Sequence, residues 1–263
     1  MQYKQIKTDF SLNKITHKDQ LFAGDYTIDP YQNCEFGCLY CDSSSDKTIF
    51  VKSNILEILE KELEKTEKGT IIVGSVNDPY QRAEEKFNLA RGILEIIEKH
   101  GFPCHILTKS DLVSRDIDVL SRIDNCMVTI SLMSLKDSVS NIFEKNVPSP
   151  KIRLQTIEKL TSNGIMAGLA ILPIFPYIVE NELEDIFKSA RAHNVQYLLH
   201  KHLELKGDQK TCFIDILRGL YPNLVLKYEE LYKDSYMPKK DYILKINEII
   251  YNLAKENNIK NRV

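Results

Sequence analysis

The chain has 263 residues, of which 43% are hydrophobic and 27% are charged, a composition that indicates a globular protein and excludes a disordered chain. Its formal net charge of −2 provides no overall basic surface, so a nucleic-acid partner stays open but unsupported. The first residues lack an apolar signal core, and no uncharged apolar run is long enough to cross a bilayer. We therefore expect a cytoplasmic protein without a membrane partner.

Short apolar runs alternate with amphipathic helical runs along most of the chain, a pattern typical of α/β proteins. The predicted strands span residues 26–30, 70–76, 104–108, 127–132, 166–173 and 196–203. The predicted helices between them span residues 54–68, 84–100, 115–123, 151–162 and 183–193. Each helical crossover returns the chain to the same end of the sheet. The six strands are therefore expected to be parallel and to form a partial (β/α)6 barrel of the TIM type.

Beyond Gly207 the pattern becomes helical, with predicted helices over residues 212–219, 227–233 and 239–257. These helices are expected to form a C-terminal extension of about 206–263, packed on a core of about 22–205. No Pro-rich or Gly-rich linker separates the two parts. The sequence therefore predicts a single domain over residues 1–263.

Three of the six cysteines, Cys34, Cys38 and Cys41, lie close together in the segment NCEFGCLYC. They follow the first predicted strand, at the end of the sheet where α/β enzymes gather their chemistry. In a reducing compartment, clustered cysteines are more often metal ligands than disulfides. A closed zinc site would need a fourth, distant ligand such as His17 or His105. A 4Fe-4S cluster held by three thiolates instead leaves one iron open to a substrate or cofactor.

The spacing C-x3-C-x2-C, with the aromatic Tyr40 before the last cysteine, resembles the signature of the radical S-adenosylmethionine superfamily. This likeness makes Tyr40 a candidate cofactor contact. Further segments resemble the branch of the superfamily that includes spore photoproduct lyase. They are DPYQ at 78–81, LTKS at 107–110, SRDIDVL at 114–120, PSP at 148–150 and RL at 153–154. Most of the likeness lies in residues 30–205.

The resemblance implies a radical enzyme with two cofactors. In the superfamily, the open iron of a 4Fe-4S cluster binds the amino and carboxylate groups of S-adenosylmethionine. Reduction of the cluster then cleaves this cofactor to a 5′-deoxyadenosyl radical, which abstracts hydrogen from a substrate. The resemblance also implies an external electron donor such as flavodoxin or ferredoxin and a lyase or oxidoreductase reaction. It leaves the substrate open, because fold and cofactor do not determine it.

The resemblance also implies where S-adenosylmethionine is bound. The segment GSVNDPYQ stands where the superfamily has a motif for the methionine amino group, so Ser75, Asn77 and Asp78 are candidate contacts. For Asp78, a turn before the following proline is the alternative. Lys109 resembles the lysine that reaches the cofactor carboxylate. Ser131 resembles a contact to the ribose or the carboxylate, with a simple packed serine as the alternative.

His200 and His202 share one face of the last predicted strand. That face is expected to line the mouth of the barrel, which makes both histidines candidate substrate contacts. A role without substrate contact is the alternative. The other three cysteines, Cys104, Cys126 and Cys212, are expected to be small buried apolar residues.

Two alternative functions stay open: a non-catalytic zinc-binding or cluster-binding protein, and repair or modification of nucleic acid in the manner of spore photoproduct lyase. In the resembling enzyme, a cysteine a few residues before the aspartate comparable to Asp78 returns a hydrogen atom to the thymine radical. Residues 73–77 of this chain contain no thiol. Ser75 cannot replace the cysteine, because an alkyl O–H bond is too strong to give its hydrogen atom to a carbon radical. We therefore expect a substrate other than the spore photoproduct.

Overall fold

The computed structural model describes residues 1–17, 21–44 and 47–261. Its strands are β1 Gln2–Ile6, β2 Asn13–Lys14, β3 Tyr26–Ile28, β4 Tyr31–Gln32, β5 Thr48–Lys52, β6 Ile71–Val73, β7 Cys104–Thr108, β8 Met127–Ser131, β9 Met166–Ile174, β10 Tyr197–His202 and β11 Lys260–Asn261. Its helices are α1 Ile55–Leu63, α2 Ala83–Phe87, α3 Leu89–Lys99, α4 Ile117–Leu120, α5 Asp137–Phe143, α6 Pro150–Ser162, α7 Leu183–Ala192, α8 Asp208–Leu220, α9 Val225–Leu231 and α10 Lys240–Glu256.

The larger sheet has eight strands in the order β11-β10-β9-β8-β7-β6-β3-β2. All neighbouring pairs from β3 to β11 are parallel, and β2 pairs antiparallel with β3. The prediction of an α/β fold with a mostly parallel sheet is confirmed. The six predicted strands correspond to β3 and β6 to β10. The sequence did not indicate β2 and β11, because two-residue strands leave no periodic pattern.

A smaller sheet has three strands in the order β1-β5-β4. Strand β5 runs parallel to β1 and antiparallel to β4. This sheet was not predicted, because β1 is polar and largely exposed, and β4 is only two residues long. Its importance for the site is positional, since the three clustered cysteines lie in the connection from β4 to β5.

Two helix predictions need correction. The helix predicted over residues 84–100 is divided into α2 and α3 at Asn88, whose φ of 51° is left-handed. The helix predicted over residues 115–123 is a 3-10 helix, Asp111–Asp116, followed by the short α4. Helix α5 was not predicted. The order of strand and helical crossover is nevertheless the expected one from β6 to β10.

The helices after Gly207 pack against the core. The Tyr228 hydroxyl in α9 donates a 2.8 Å hydrogen bond to the carbonyl of Pro176, and the Tyr232 hydroxyl donates one of 2.9 Å to the carbonyl of Leu203. Both tyrosines are fully buried. Among the described helices, none combines the length and the apolar character that crossing a membrane requires.

Candidate active site

The loop between β4 and β5 carries Cys34, Cys38 and Cys41. The first two are buried, and Cys41 is half-buried. Asn33 and Gly37 both have a φ of 66°, a left-handed conformation that lets the chain turn tightly around the thiols. The Cys41 N–H donates a 3.2 Å hydrogen bond to the Cys38 carbonyl. The sequence therefore folds the three thiols into one compact loop.

Glu35 anchors this loop, although no sequence pattern singled it out. Its buried carboxylate accepts hydrogen bonds from the Tyr3 hydroxyl at 2.8 Å and from the Ala83 N–H at 2.7 Å. Its own N–H donates to Gln81 Oε1 at 3.0 Å, and its carbonyl accepts from Asn146 Nδ2 at 3.1 Å. Strand β1, the start of α2 and the segment before α6 therefore hold the cysteine loop.

A small, partly open pocket of about 90 Å³ lies beside the cysteines. It is lined by the cysteine loop, by residues 74–78 after β6 and by residues 107–109 at the end of β7. The structure thus brings together eight residues that were predicted from the sequence: Cys34, Cys38, Tyr40, Cys41, Ser75, Asn77, Asp78 and Lys109.

Gly74 allows the loop after β6 to approach the end of β7 closely. Its φ is 87°, and a Cβ atom there would lie 2.3 Å from Pro79 Cδ and 2.8 Å from the Leu107 carbonyl oxygen. Any larger residue would push the loop after β6 away from the end of β7.

Asp78 holds two loops together. Its Oδ1 accepts from Thr108 Oγ1 at 2.6 Å and from the Tyr80 N–H at 2.9 Å, and its Oδ2 accepts from the Lys109 N–H at 2.7 Å. Burial raises the pKa of Asp78, and these hydrogen bonds oppose the shift. The bond to Tyr80 supports the turn alternative, since it closes an Asx turn. The carboxylate is therefore occupied by the protein's own donors.

Asp29 organises the loop after β6 and is a second residue that no sequence pattern singled out. Its Oδ1 accepts from the Val76 and Asn77 N–H groups at 3.1 and 3.0 Å. Its Oδ2 accepts from the Ser75 hydroxyl at 2.9 Å. The Ser75 hydroxyl proton is therefore already used within the protein.

Lys109 brings a positive charge to the pocket. Its Nζ lies 5.9 Å from the centroid of the Tyr40 ring. Burial lowers the pKa of Lys109, but the acidic groups around it, Cys38, Glu144 and Asp78, outweigh burial and raise the pKa above its ordinary value. The side chain is therefore charged at neutral pH.

Oδ1 of Asn77 and Oγ of Ser131 are among the buried polar atoms that have no hydrogen-bond partner within the described residues. Asn77 lines the pocket, whereas Ser131 is not among the lining residues. A buried polar atom without a partner is unfavourable unless a ligand completes it. Together with the Lys109 ammonium group and the three thiols, the Asn77 oxygen suits a cluster that carries an amino-acid cofactor.

The thiols themselves suit a cationic metal centre. Burial raises the pKa of Cys34 to about 12 and that of Cys38 to about 11, so a nearby cation is needed to hold them as thiolates at neutral pH. Among the described residues, no three His, Cys, Asp or Glu side chains, the three cysteines of the loop included, are placed closely enough to hold a metal ion. His17 is exposed, and His105 instead contacts the Phe22 carbonyl and Thr129 Oγ1.

The prediction that His200 and His202 line the barrel mouth is wrong in its placement. Their Nε2 atoms lie 3.1 and 2.8 Å from Oδ1 of Asn247 in α10, and both side chains are buried there. Leu199, on the opposite face of β10, packs against Ala170 of the neighbouring strand. The strand alternates as expected, but both of its faces are covered, and alternation alone does not show which one looks inward.

The remaining cysteines lie apart from the pocket. Cys104 and Cys126 are buried with their sulfur atoms 3.7 Å apart, at the start of β7 and just before β8. Cys212 in α8 is exposed, which corrects the expectation that all three are buried. Cys212 shares the exposed face of α8 with Asp208 and Asp215, which lie four residues before it and three residues after it.

Residues 28–190, more than half of the chain, match the family model of the Radical SAM superfamily. The chain belongs to this superfamily. Its members use an iron–sulfur cluster and S-adenosylmethionine, so these are the cofactors of the protein.

Two curated relatives illustrate the family. An uncharacterised protein of Mycobacterium tuberculosis is 26% identical over 257 residues, which cover 90% of this chain and 75% of the relative. An uncharacterised protein of Methanocaldococcus jannaschii is 30% identical over 167 residues, which cover 60% of this chain and 63% of the relative.

Solved structures share the fold. Spore photoproduct lyase complexed with dinucleoside spore photoproduct has a TM-score of 0.74 at 14% identity, covering 99% of this chain and 82% of that chain. Streptococcus suis SuiB bound to S-adenosylmethionine has a TM-score of 0.62 at 10% identity, covering 89% of this chain and 49% of that chain. At these identities the likeness concerns the fold alone.

Proposed function

We propose that the protein is a radical S-adenosylmethionine enzyme in which Cys34, Cys38 and Cys41 bind a 4Fe-4S cluster whose open iron holds S-adenosylmethionine. When bound and reduced, this pair supplies a 5′-deoxyadenosyl radical for hydrogen abstraction from a substrate, in a lyase or oxidoreductase reaction. The observation that carries the proposal is the meeting of the three cysteines, Lys109 and residues 74–78 in one pocket beside the ends of β6 and β7.

The chain's own side chains divide the work of binding the cofactor. The Lys109 ammonium pairs with the carboxylate of the methionine moiety, and Asn77 Oδ1 accepts a hydrogen bond from its amino group. Ser131 is the proposed contact to the ribose or the carboxylate; its hydroxyl is buried at the end of β8, outside the pocket lining, and has no partner within the described residues. The Tyr40 ring forms an aromatic wall of the cofactor pocket. The Ser75 hydroxyl donates its proton to Asp29, so its oxygen is proposed to accept a hydrogen bond from the cofactor.

The proposed architecture is a single domain over residues 1–263. Strands β3 and β6 to β10 form a partial (β/α)6 barrel of the TIM type, and residues of about 206–263 form a helical extension on a core of about 22–205. The buried hydrogen bonds of Tyr228 and Tyr232 to the core support this arrangement. We further propose a cytoplasmic location and an external one-electron donor such as flavodoxin or ferredoxin.

Repair or modification of nucleic acid is the second candidate function, favoured by the fold shared with spore photoproduct lyase. Repair of the spore photoproduct itself is disfavoured, because the cysteines of the loop are the only thiols among the described residues that line the pocket. With dithionite, S-adenosylmethionine and a dinucleotide carrying the lesion, we expect 5′-deoxyadenosine without repair. Catalytic release of unmodified thymines would contradict this expectation.

Anaerobic reconstitution tests the cluster. Protein reconstituted with iron and sulfide is expected to show broad charge-transfer absorption that dithionite bleaches. Cys34→Ala, Cys38→Ala and Cys41→Ala are each expected to abolish this absorption, because three thiolates are the minimum set for the cluster. Cys212→Ala is the matched control, since Cys212 is exposed and lies outside the pocket, and it is expected to keep the absorption. Colourless protein with stoichiometric zinc would overturn the proposal.

A further inference from the structure

A buried ion pair lies directly behind the cysteine loop. Nη1 of Arg153 is 2.7 Å from Oε2 of Glu144, and both side chains are completely excluded from solvent. The same guanidinium donates to the carbonyls of Pro148 and Ser131 at 2.9 Å each and to Ser140 Oγ at 2.8 Å. Arg153 therefore joins α6 to the end of β8 and to α5, and its guanidinium forms a buried ion pair with Glu144.

Glu144 is tied to the cysteine loop through its other oxygen. The Tyr40 hydroxyl donates a 2.5 Å hydrogen bond to its Oε1. Cys38 and Glu144 also form an isolated antiparallel bridge, and the Leu39 N–H donates to the Phe143 carbonyl at 2.9 Å. Glu144 thus pairs with the central cysteine of the loop through its backbone and with Tyr40 through its carboxylate, and it is not among the residues that line the pocket.

The charge of Glu144 reaches the groups around the pocket. Burial raises the pKa of Cys38, the positive charge of Lys109 opposes this rise, and the negative charge of Glu144 adds to it. Glu144 is also among the acidic groups that raise the pKa of Lys109. A buried anion at this position therefore acts on the thiol and the ammonium that the proposed function uses.

We propose that Glu144 is a positioning residue whose carboxylate charge, fixed by Arg153 and Tyr40, makes the three-cysteine cluster harder to reduce. This inference rests on the proposed function, because it requires a cluster on the cysteine loop. Reduction adds one electron from a low-potential donor to the cluster, and a buried negative charge nearby opposes that electron more strongly than it would in water. The positive charge of Arg153 reduces this opposition to the added electron. Arg153 contacts Oε2 of Glu144, however, whereas Oε1 is the oxygen that contacts Tyr40 of the cysteine loop.

The test compares the reduced-to-oxidised ratio of the cluster at a fixed solution potential, measured by electron paramagnetic resonance in a dithionite titration of the reconstituted full chain. Glu144→Gln removes the charge and keeps the shape, and we expect the ratio to rise about tenfold. Arg153→Lys keeps the positive charge but loses the forked geometry, and we expect a ratio close to that of the unaltered protein.

Glu84 offers a matched control. It is equally buried, accepts a 2.5 Å hydrogen bond from the Tyr31 hydroxyl and pairs with Arg115 at 2.8 Å, but it joins α2 to the segment before α4. Glu84→Gln is therefore expected to leave the ratio unchanged. If the Glu144→Gln variant fails to hold a cluster, the Arg153→Met variant is tested in its place. Loss of the balancing positive charge in Arg153→Met is expected to lower the reduced-to-oxidised ratio of the cluster.

The outcomes separate the two proposals. An unaltered protein that holds no cluster overturns the proposed function. A clustered protein in which Glu144→Gln leaves the ratio unchanged, or in which Arg153→Lys shifts the ratio as much as Glu144→Gln does, overturns the role of Glu144 and leaves the proposed function standing. A rise confined to Glu144→Gln supports the inference.

Discussion

Lys109 is the residue whose chemistry is most directly testable in the pocket. Its charge is maintained by the acidic groups around it, and we propose that it pairs with the cofactor carboxylate. A charge-assisted hydrogen bond contributes about 1.5–3 kcal/mol, so Lys109→Ala is expected to weaken S-adenosylmethionine binding about ten- to a hundredfold while the cluster absorption is retained. Equilibrium titration of the reconstituted protein measures the affinity. Lys188→Ala, at an exposed site on α7, is the control. Equal affinities for the two variants would contradict the assignment.

At the scale of residues, a short local pattern indicated the cysteines and the family resemblance indicated Lys109, but neither indicated the residues that support the cysteine loop and the loop after β6. Asp29 accepts hydrogen bonds from residues 46 to 48 positions further along the chain, and Glu35 accepts one from Ala83, 48 positions away. An isolated acidic residue in a loop gives no sign of such distant partners. These supports become visible only when the strands are assembled.

At the scale of elements, the turn after β6 depends on Gly74. Gly74→Ala is expected to destabilise the fold by more than about 2 kcal/mol, because the new Cβ would clash with Pro79 and the Leu107 carbonyl in addition to the cost of the left-handed backbone. Gly164 has a similar φ of 77° but open space around it, so Gly164→Ala is expected to show the backbone cost alone, about 1 kcal/mol. Urea unfolding compares the two. Equal losses would show that crowding at Gly74 is unimportant.

The elements themselves were predictable where burial leaves a strong pattern. Strands β6 to β10 are almost entirely buried and read as apolar runs, and the long helices between them are amphipathic. The small sheet escaped prediction because β1 exposes most of its residues. The break at Asn88 was not predicted, because the apolar period of the helix continues across it. At the break, the buried Glu84 carboxylate accepts hydrogen bonds from the N–H groups of Ala90 and Arg91.

At the scale of the whole molecule, His200 and His202 connect the last long strand to α10 through Asn247. Burial lowers the pKa of His200 to about 4 and also lowers that of His202. Between pH 6.5 and about 4 the unfolded chain therefore binds more protons than the folded one, and the free energy of unfolding falls as the pH falls.

The expected slope for one histidine is at most about 1.4 kcal/mol per pH unit. Urea unfolding of the apoprotein between pH 7.5 and pH 5 is expected to show a shallower loss of stability for His200→Leu than for the unaltered chain. The two curves should converge toward acid pH, because the variant no longer has this buried base to protonate. Parallel curves would contradict the assignment of a neutral, buried His200.

The central claim, that the cysteine pocket performs reductive cleavage of S-adenosylmethionine, is tested most directly by its product. Reconstituted protein is incubated anaerobically with dithionite and S-adenosylmethionine, and 5′-deoxyadenosine and methionine are measured by mass spectrometry. The account predicts both products in equal amounts from the unaltered protein and from Cys212→Ala, and neither from Cys41→Ala. Iron-loaded protein that binds S-adenosylmethionine but yields no 5′-deoxyadenosine, or equal yields from Cys41→Ala, would contradict it.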